Sequence, residues 1–404
     1  MRTIMNVTRA IFNVPVISVF VILFASGTPY AGNQYSLISL TLCAILFLFL
    51  STKPEGRLCV DRSAISYTFL LVVMLLASMV VNLDGDLSHY AGKVITLFIG
   101  TLCVSIISWR DFRNTFCNIM IFLAVLSLIM FGVGLINEGF VRSLPTYYMA
   151  PTDQYFKSFF HLHQYGYGEN GIWLTTSRNA GMFREPGVFQ LFLNSALILL
   201  LGSSDSKKFL KTVILCATVL TTVSTSGIIA MTIILVGFAL NYLYKEKFIT
   251  KKRLFLVIVI VLLILMVGSY YLENYGQIVF GKFVSGSDNY SSLTKRNQQT
   301  STDLRLFWQN PVFGVGYSYY QSFGEGSANS FSCNAALYGI GFAVALIYGL
   351  IRFCRIACEQ YSVLAFFSVI AVGSMLFTQN TIFLPVFIVF IYYGISIRKE
   401  CSDD

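Results

Sequence analysis

The sequence predicts an all-α polytopic integral membrane protein, with about 12 transmembrane helices and two large extracytoplasmic loops bearing short helices. Three observations carry this. Of 404 residues, 56% are hydrophobic and 12% charged, and the mean hydropathy of +0.70 lies far outside the range of a water-soluble domain. Charge-free stretches recur along the chain, several long enough for two crossings of about 20 residues each. The basic residues between them gather in alternate loops.

Dividing the stretches at polar or glycine-containing breaks gives helices near residues 10–26, 36–51, 64–82, 91–108, 115–137, 187–202, 209–225, 227–243, 254–272, 335–351, 361–377 and 382–396. The first follows a basic segment, as in a signal peptide, but a second span close behind it reads as an uncleaved helix. The seventh and eighth form either two spans or a re-entrant hairpin. Both loops that flank this pair are basic, so the chain returns to the side it left. Putting the basic loops in the cytoplasm places both termini there, with 19 of the 28 Lys and Arg and 9 of the 19 Asp and Glu. The net charge of +9 then divides into +10 inside and −1 outside, so basicity reports topology and no nucleic-acid partner.

Residues 1–404 read as one integral domain, because most loops are short and no repeat or low-complexity linker separates them. Of nine cysteines, only Cys333 approaches the outer face, which leaves no extracytoplasmic disulfide. Two outer loops, 138–186 and 273–334, are far longer than the usual connection, and such loops are functional or disordered. The first is rich in aromatic residues. These form an interfacial belt with one short helix around 153–163, or stacking platforms for sugar rings, and the two readings are compatible. Tyr165, Tyr167 and Trp173, with His161, His163 and Asn329, are the candidate glycan contacts. His161 and His163 share a side only on a strand, and without acidic or cysteine partners at ligand spacing they predict no metal site. His89 shows no evident partner.

The first loop closes in Arg178-Asn-Ala-Gly-Met-Phe-Arg-Glu-Pro-Gly187, two arginines and a carboxylate at the mouth of an apolar helix that Pro186 begins. The second holds Asn310-Pro-Val-Phe-Gly-Val-Gly-Tyr317, with Arg305 eleven residues before Gly316, then Ala328-Asn329 and Leu337-Tyr-Gly-Ile-Gly341. These segments resemble the Wzy-type polysaccharide polymerases and the related O-antigen ligases, in which an arginine- and Glu-Pro-bearing segment closes one large loop and a second signature marks the other. The topological resemblance covers the whole chain, and the motifs about fifty residues. Three departures stand out. Ala328-Asn329 replaces the His-Asn of the ligases, the first loop lacks the arginine–ten–glycine spacing because Phe189 stands eleven residues after Arg178, and Ser224-Thr-Ser-Gly227 resembles the serine-rich helix end of the family but lacks its following arginine.

The resemblance implies glycosyl transfer outside the bacterial inner membrane, from undecaprenyl diphosphate to a sugar hydroxyl of another lipid-linked repeat unit. It implies no cofactor. The implied partners are the lipid-linked glycans, membrane lipids, a chain-length regulator and the flippase of the same pathway. Residue chemistry is compatible, because guanidinium groups offer permanent charge and bidentate hydrogen bonds to a diphosphate leaving group. Arg178, Arg184 and Arg305 are the candidates, each otherwise a partner for a carboxylate or a lipid phosphate. Glu185 is the first candidate for the base that accepts the attacking hydroxyl's proton, and Asp303 the second. Glu185 reads equally as an ion-pair partner or a residue stabilised by the helix dipole. A ligase, or a transporter of lipid-linked glycans, is the competing class. The missing His-Asn speaks against a ligase, and the nearly uncharged span interiors against a transporter.

Overall fold

The computed structural model describes residues 14–33, 41–46, 60–149, 154–167, 178–245, 290–323, 326–358 and 361–396. Apolar runs form α1 (Val14–Ala25), α3 (Arg62–Val81), α4 (Leu87–Ile106), α5 (Trp109–Ile136), α7 (Pro186–Gly202), α8 (Lys208–Thr221), α9 (Thr225–Lys245), α13 (Ile340–Ala357), α14 (Ser362–Thr378) and α15 (Pro385–Ile395), and a short α2 (Pro29–Asn33) follows α1. Residues 41–46 are helical within the span expected at 36–51, and the span expected at 254–272 lies outside the described residues. Among the described residues α3, α4, α5, α9 and α13 are long and apolar enough to cross a membrane, and α1, α7, α14 and α15 are shorter apolar helices.

Local chemistry sets the boundaries. Asp61 starts α3 by accepting a hydrogen bond from the Ala64 N–H at 2.8 Å, and Ser108 starts α5 through the Asp111 N–H at 3.1 Å, each satisfying a donor the helix itself leaves unpaired. α7 is buried along its whole length, packed against α5, α8 and α9, while α15 lies between α4 and α13. Stacked Phe353 and Phe390 rings, 4.4 Å apart, join α13 to α15. Because α7 faces protein on all sides it can be apolar all round, the mark of a central helix.

The loops correct two expectations. The interval expected to hold a short helix around 153–163 instead contributes to a three-stranded antiparallel sheet, ordered β1-β2-β3, so the fold is mostly helical rather than all-α. β1 (Thr146–Met149), β2 (Gln154–Phe159) and β3 (His163–Tyr167) pair in register Tyr147↔Phe156 and Ser158↔Gln164. A strand's period of two puts Met149, Phe156, Ser158 and Gln164 on one face, and all four are buried. The opposite face carries exposed Tyr148 and Tyr155, yet ends in buried Tyr165, which packs against Gly134 of α5. A short helix, α6 (Glu138–Ser143), precedes the sheet.

The second loop forms α10 (Tyr290–Gln309), α11 (Tyr317–Gln321) and α12 (Ser330–Tyr338). The helix expected at 335–351 is therefore two, α12 and α13, broken at Gly339. The segment Asn310 to Tyr317 is shaped by its glycines. Gly314 and Gly316 have φ of +71° and +79°, and a Cβ on Gly314 would stand 2.3 Å from the Leu337 backbone, so a side chain is excluded twice over.

Helix ends that the charge bias assigns to a common side do meet. On one face the α3–α4 turn reaches α11, where Asp84 accepts from the Tyr317 and Ser318 N–H groups. On the other, Ser396 Oγ donates to Asp61 Oδ2 at 2.7 Å and the Val363 N–H to Asn241 Oδ1 at 3.2 Å.

Candidate functional site

The face shared by both large loops converges on the start of α7. Pro186 occupies the first helical turn, and Glu185, in extended backbone, stands at the cap without using its side chain to cap. Its carboxylate, less than half exposed, is left for other partners. Arg184 Nε lies 3.7 Å from Glu185 Oε1, a separation that contributes little in water but orients the pair.

Residues 178–185 form a strap pinned at several points. The Arg184 N–H donates to the Gly27 carbonyl after α1 at 2.9 Å, the Asn179 N–H to the Thr221 carbonyl of α8 at 2.9 Å, and the Gln164 N–H of β3 to the Gly181 carbonyl at 2.6 Å. Asn179 Nδ2 donates to Ser127 Oγ and Thr221 Oγ1 at 3.1 and 3.0 Å, and its carbonyl receives the Gly181 N–H at 2.9 Å. A carboxamide with both ends engaged fixes the strap, and with it the arginines.

Arg178 Nε donates to the Thr222 carbonyl at 3.2 Å, at the break between α8 and α9 where Ser224-Thr-Ser-Gly227 stands. Burial pulls its guanidinium below the usual range; Glu185 opposes this, and Arg296 of α10 adds to it. Among the described residues, two arginines within reach of each other's charge beside one carboxylate make a site short of anions. Such a site favours a ligand with two or more negative charges. Gln379, in the α14–α15 connection, completes it. A Cβ on Gly187 would stand 2.4 Å from Gln379 Nε2 and 4.0 Å from the Glu185 carboxyl carbon, so glycine leaves room for this amide at the start of α7.

The structure therefore brings Arg178, Arg184 and Glu185 together, and adds Arg296 and Gln379. It separates them from Arg305. At 100° per residue, Arg296 and Asp303 lie about 20° apart on α10, whereas Arg296 and Arg305 lie about 180° apart. Asp303 accordingly points inward and is 1% exposed. It accepts from Tyr320 Oη and Ser332 Oγ, both at 2.6 Å. Burial raises its carboxyl, an effect the Ser327, Ser332 and Tyr320 hydroxyls oppose. Arg305 points outward, exposed, its guanidinium carbon 5.6 Å from the Phe323 ring.

Asn329 is buried as the cap of α12, its carbonyl accepting from the Phe331 N–H at 2.9 Å. The adjoining Ser330 Oγ donates to the Gln379 carbonyl at 2.7 Å and accepts the Thr381 N–H at 2.9 Å, which couples the second loop to the α14–α15 connection. The two histidines part company. His161 lies in the β2–β3 turn, where it and Phe160 adopt φ of +60° and +47°, and it packs edge-on against Tyr30 and Tyr147 at 4.0 and 4.9 Å. His163 is buried beside Tyr165, and desolvation pushes it down to about 3, so it stays neutral. Tyr165 Oη donates to the Met130 carbonyl. Tyr167 pairs with Tyr155 across β2–β3, and Trp173 lies outside the described residues. His89, for which the sequence shows no partner, stacks on Tyr317 at 3.5 Å and hydrogen-bonds Tyr338 Oη. Among the described residues no three His, Cys, Asp or Glu assemble as a metal site.

Sequence reasoning passed over Arg296 as a principal site residue and missed Gln379. Helical phase relative to Asp303 selects the former. The polar break Thr378-Gln-Asn-Thr381 between two apolar runs was a signal for the latter.

No curated protein and no solved structure matches the chain. Residues 210–332, which include α8, α9, α10 and α11, match the family described as O-Antigen ligase. The match, together with the apolar helices, supports a multi-pass membrane protein of the O-antigen ligase/polymerase superfamily, a glycosyl-transferring class of surface-glycan synthesis.

Proposed function

We propose that this protein polymerises polyprenyl-diphosphate-linked oligosaccharide repeat units at the outer face of the inner membrane. The observation that carries the reading is the meeting of Arg178 and Arg184 with the Glu185 carboxylate at the start of α7, with Arg296 within reach of the charge of Arg178. In the reaction an acceptor sugar hydroxyl attacks the anomeric carbon of the donor and forms the new glycosidic C–O bond. The bond from that carbon to the diphosphate breaks, its electron pair leaves on the diphosphate oxygen, and the hydroxyl proton passes to Glu185. Arginines stabilise the leaving group as its charge grows, and a half-exposed carboxylate free of capping duty is available as the base. Arg305, on the opposite face of α10, serves at the rim rather than on the departing diphosphate.

A ligase reading draws on the description of the matched family. It would use the same donor with a different acceptor. Against it, position 328 is alanine and supplies no imidazole where the ligases carry His-Asn, and Asn329 is engaged as a cap. Deletion of the gene separates the readings. Surface polysaccharide reduced to one repeat unit on its acceptor is the polymerase result; complete absence of repeat units is the result that overturns it.

A further inference from the structure

Lys93 is a cation in a membrane-crossing helix, in the second turn of α4, and among the described residues no carboxylate pairs with it. Its ammonium nitrogen lies 4.2 Å from the centroid of the Phe383 ring. The side chain is half-buried. An unpaired ammonium at this depth is costly unless it meets water or an anion, which makes it a functional position by default. Lys93 stands six residues after Leu87, about 9 Å below the outer end of α4. A lysine stem extends toward the membrane interface from there.

Its neighbours tie it to the site around Glu185. Phe383 belongs to the α14–α15 connection, which also supplies Gln379 beside Gly187 and Glu185, and Asn380, whose Nδ2 lies 3.3 Å from Cys333 Sγ of α12. One short segment therefore holds the ring under Lys93 at one end and the amide packed on Gly187 at the other. A polymerase handles two lipid-linked diphosphates at once, one on the donor and one on the acceptor, and only the donor's departs. The arginine cluster suits the departing one. We propose that Lys93 binds the diphosphate of the acceptor and so holds the acceptor glycan's lipid end while its hydroxyl attacks. This rests on the polymerase reading.

The test uses the full chain in zwitterionic phosphatidylcholine vesicles. The donor repeat unit is labelled and lacks its own accepting hydroxyl, so that each chain takes up one label as its end cap, and the acceptor glycan is carried on either polyprenyl diphosphate or a neutral polyprenyl ether. Wild type is expected to prefer the diphosphate-linked acceptor through a lower KM. In Lys93→Met, which fills an apolar site without a charge to bury, that preference falls by about 10- to 100-fold, the worth of one charge-assisted hydrogen bond. Lys93→Arg restores part of it. Equal use of both acceptors by wild type, or an undiminished preference in a folded Lys93→Met protein, overturns the assignment. If Lys93→Met differs from wild type only in vesicles containing anionic phospholipid, and equally for both acceptors, Lys93 is a headgroup site and the assignment also falls. Failure of wild type to join one repeat unit to another overturns the polymerase reading before any variant is made, and this inference with it.

Discussion

Replacing Asp84 by asparagine removes the anchor that docks the second loop onto the α3–α4 turn. The carboxylate is 8% exposed. It accepts from the Ser318 N–H at 3.0 Å, the Tyr317 N–H and Ser318 Oγ, from Tyr90 Oη at 3.0 Å and from the Asp86 N–H at 3.1 Å. Burial alone raises the carboxyl, but these donors outweigh it and hold it at about 2, below the ordinary 3.8. Ser318 of the second loop makes the two largest of these lowering contributions, and Asp86 and Tyr90 make the rest from within the turn and α4, so the depression carries at most roughly 2 kcal/mol of docking stability at neutral pH. Asparagine also turns an acceptor into a donor facing N–H groups, so the total loss is about 2–4 kcal/mol. Amide exchange at Tyr317 and Ser318 reads this directly and should accelerate by about 30- to 1,000-fold, provided local opening governs exchange. The pH dependence has a definite sign. A lowered native value means stability present above about pH 4 and lost as pH falls toward 2, so wild-type protection should decline in that window and the variant's should not. Unchanged protection of both amides in a folded Asp84→Asn protein would refute the reasoning.

Three other perturbations separate the roles of the remaining side chains. Arg178→Ala and Arg296→Ala should each slow transfer by about 30- to 1,000-fold, the loss of a charged contact to the leaving group, with lysine restoring only part because it lacks the fork. Arg305→Ala should cost less than about tenfold, and the same loss at all three would remove the distinction drawn from helical phase. Asp303→Ala strands the Tyr320 and Ser332 hydroxyls in a buried site, at about 2–6 kcal/mol, and should reduce recovery of folded protein on size exclusion; a well-folded but inactive variant would reassign Asp303 to chemistry. In intact cells an impermeant thiol reagent should label a cysteine at Tyr155, which is exposed on the first-loop sheet, and leave one at Lys207 unlabelled until lysis; the reverse pattern inverts the topology.

The apolar helices were legible because each is an apolar run bounded by charge or by a polar or glycine-containing break, and the beginning of α7 because Pro186 favours a helix start. The first-loop sheet was not. Its strands mix aromatic and polar residues on both faces, and the β2–β3 turn places Phe160 and His161, rather than glycine or asparagine, at positive φ, so neither periodicity nor turn chemistry announced a hairpin. Arg178, Arg184 and Glu185 were legible as a group because one short strap carries them. Arg296 and Arg305 could be told apart only once Asp303 fixed which side of α10 faces inward. Lys93 and His89 take their neighbours from Phe383, Tyr317 and Tyr338, more than two hundred residues away, and no local pattern encodes such a meeting.

The central claim is that Glu185, among arginines at the start of α7, takes the proton from an attacking sugar hydroxyl. It is tested most directly with purified wild-type and Glu185→Gln protein, each given one repeat unit on polyprenyl diphosphate and followed by the ladder of products. Wild type should yield a ladder of repeat multiples. Glu185→Gln, folded and binding donor as wild type does, should slow each step by about 10²- to 10⁴-fold, as loss of a general base requires. A stable Glu185→Gln protein that builds the same ladder at the wild-type rate would contradict the claim.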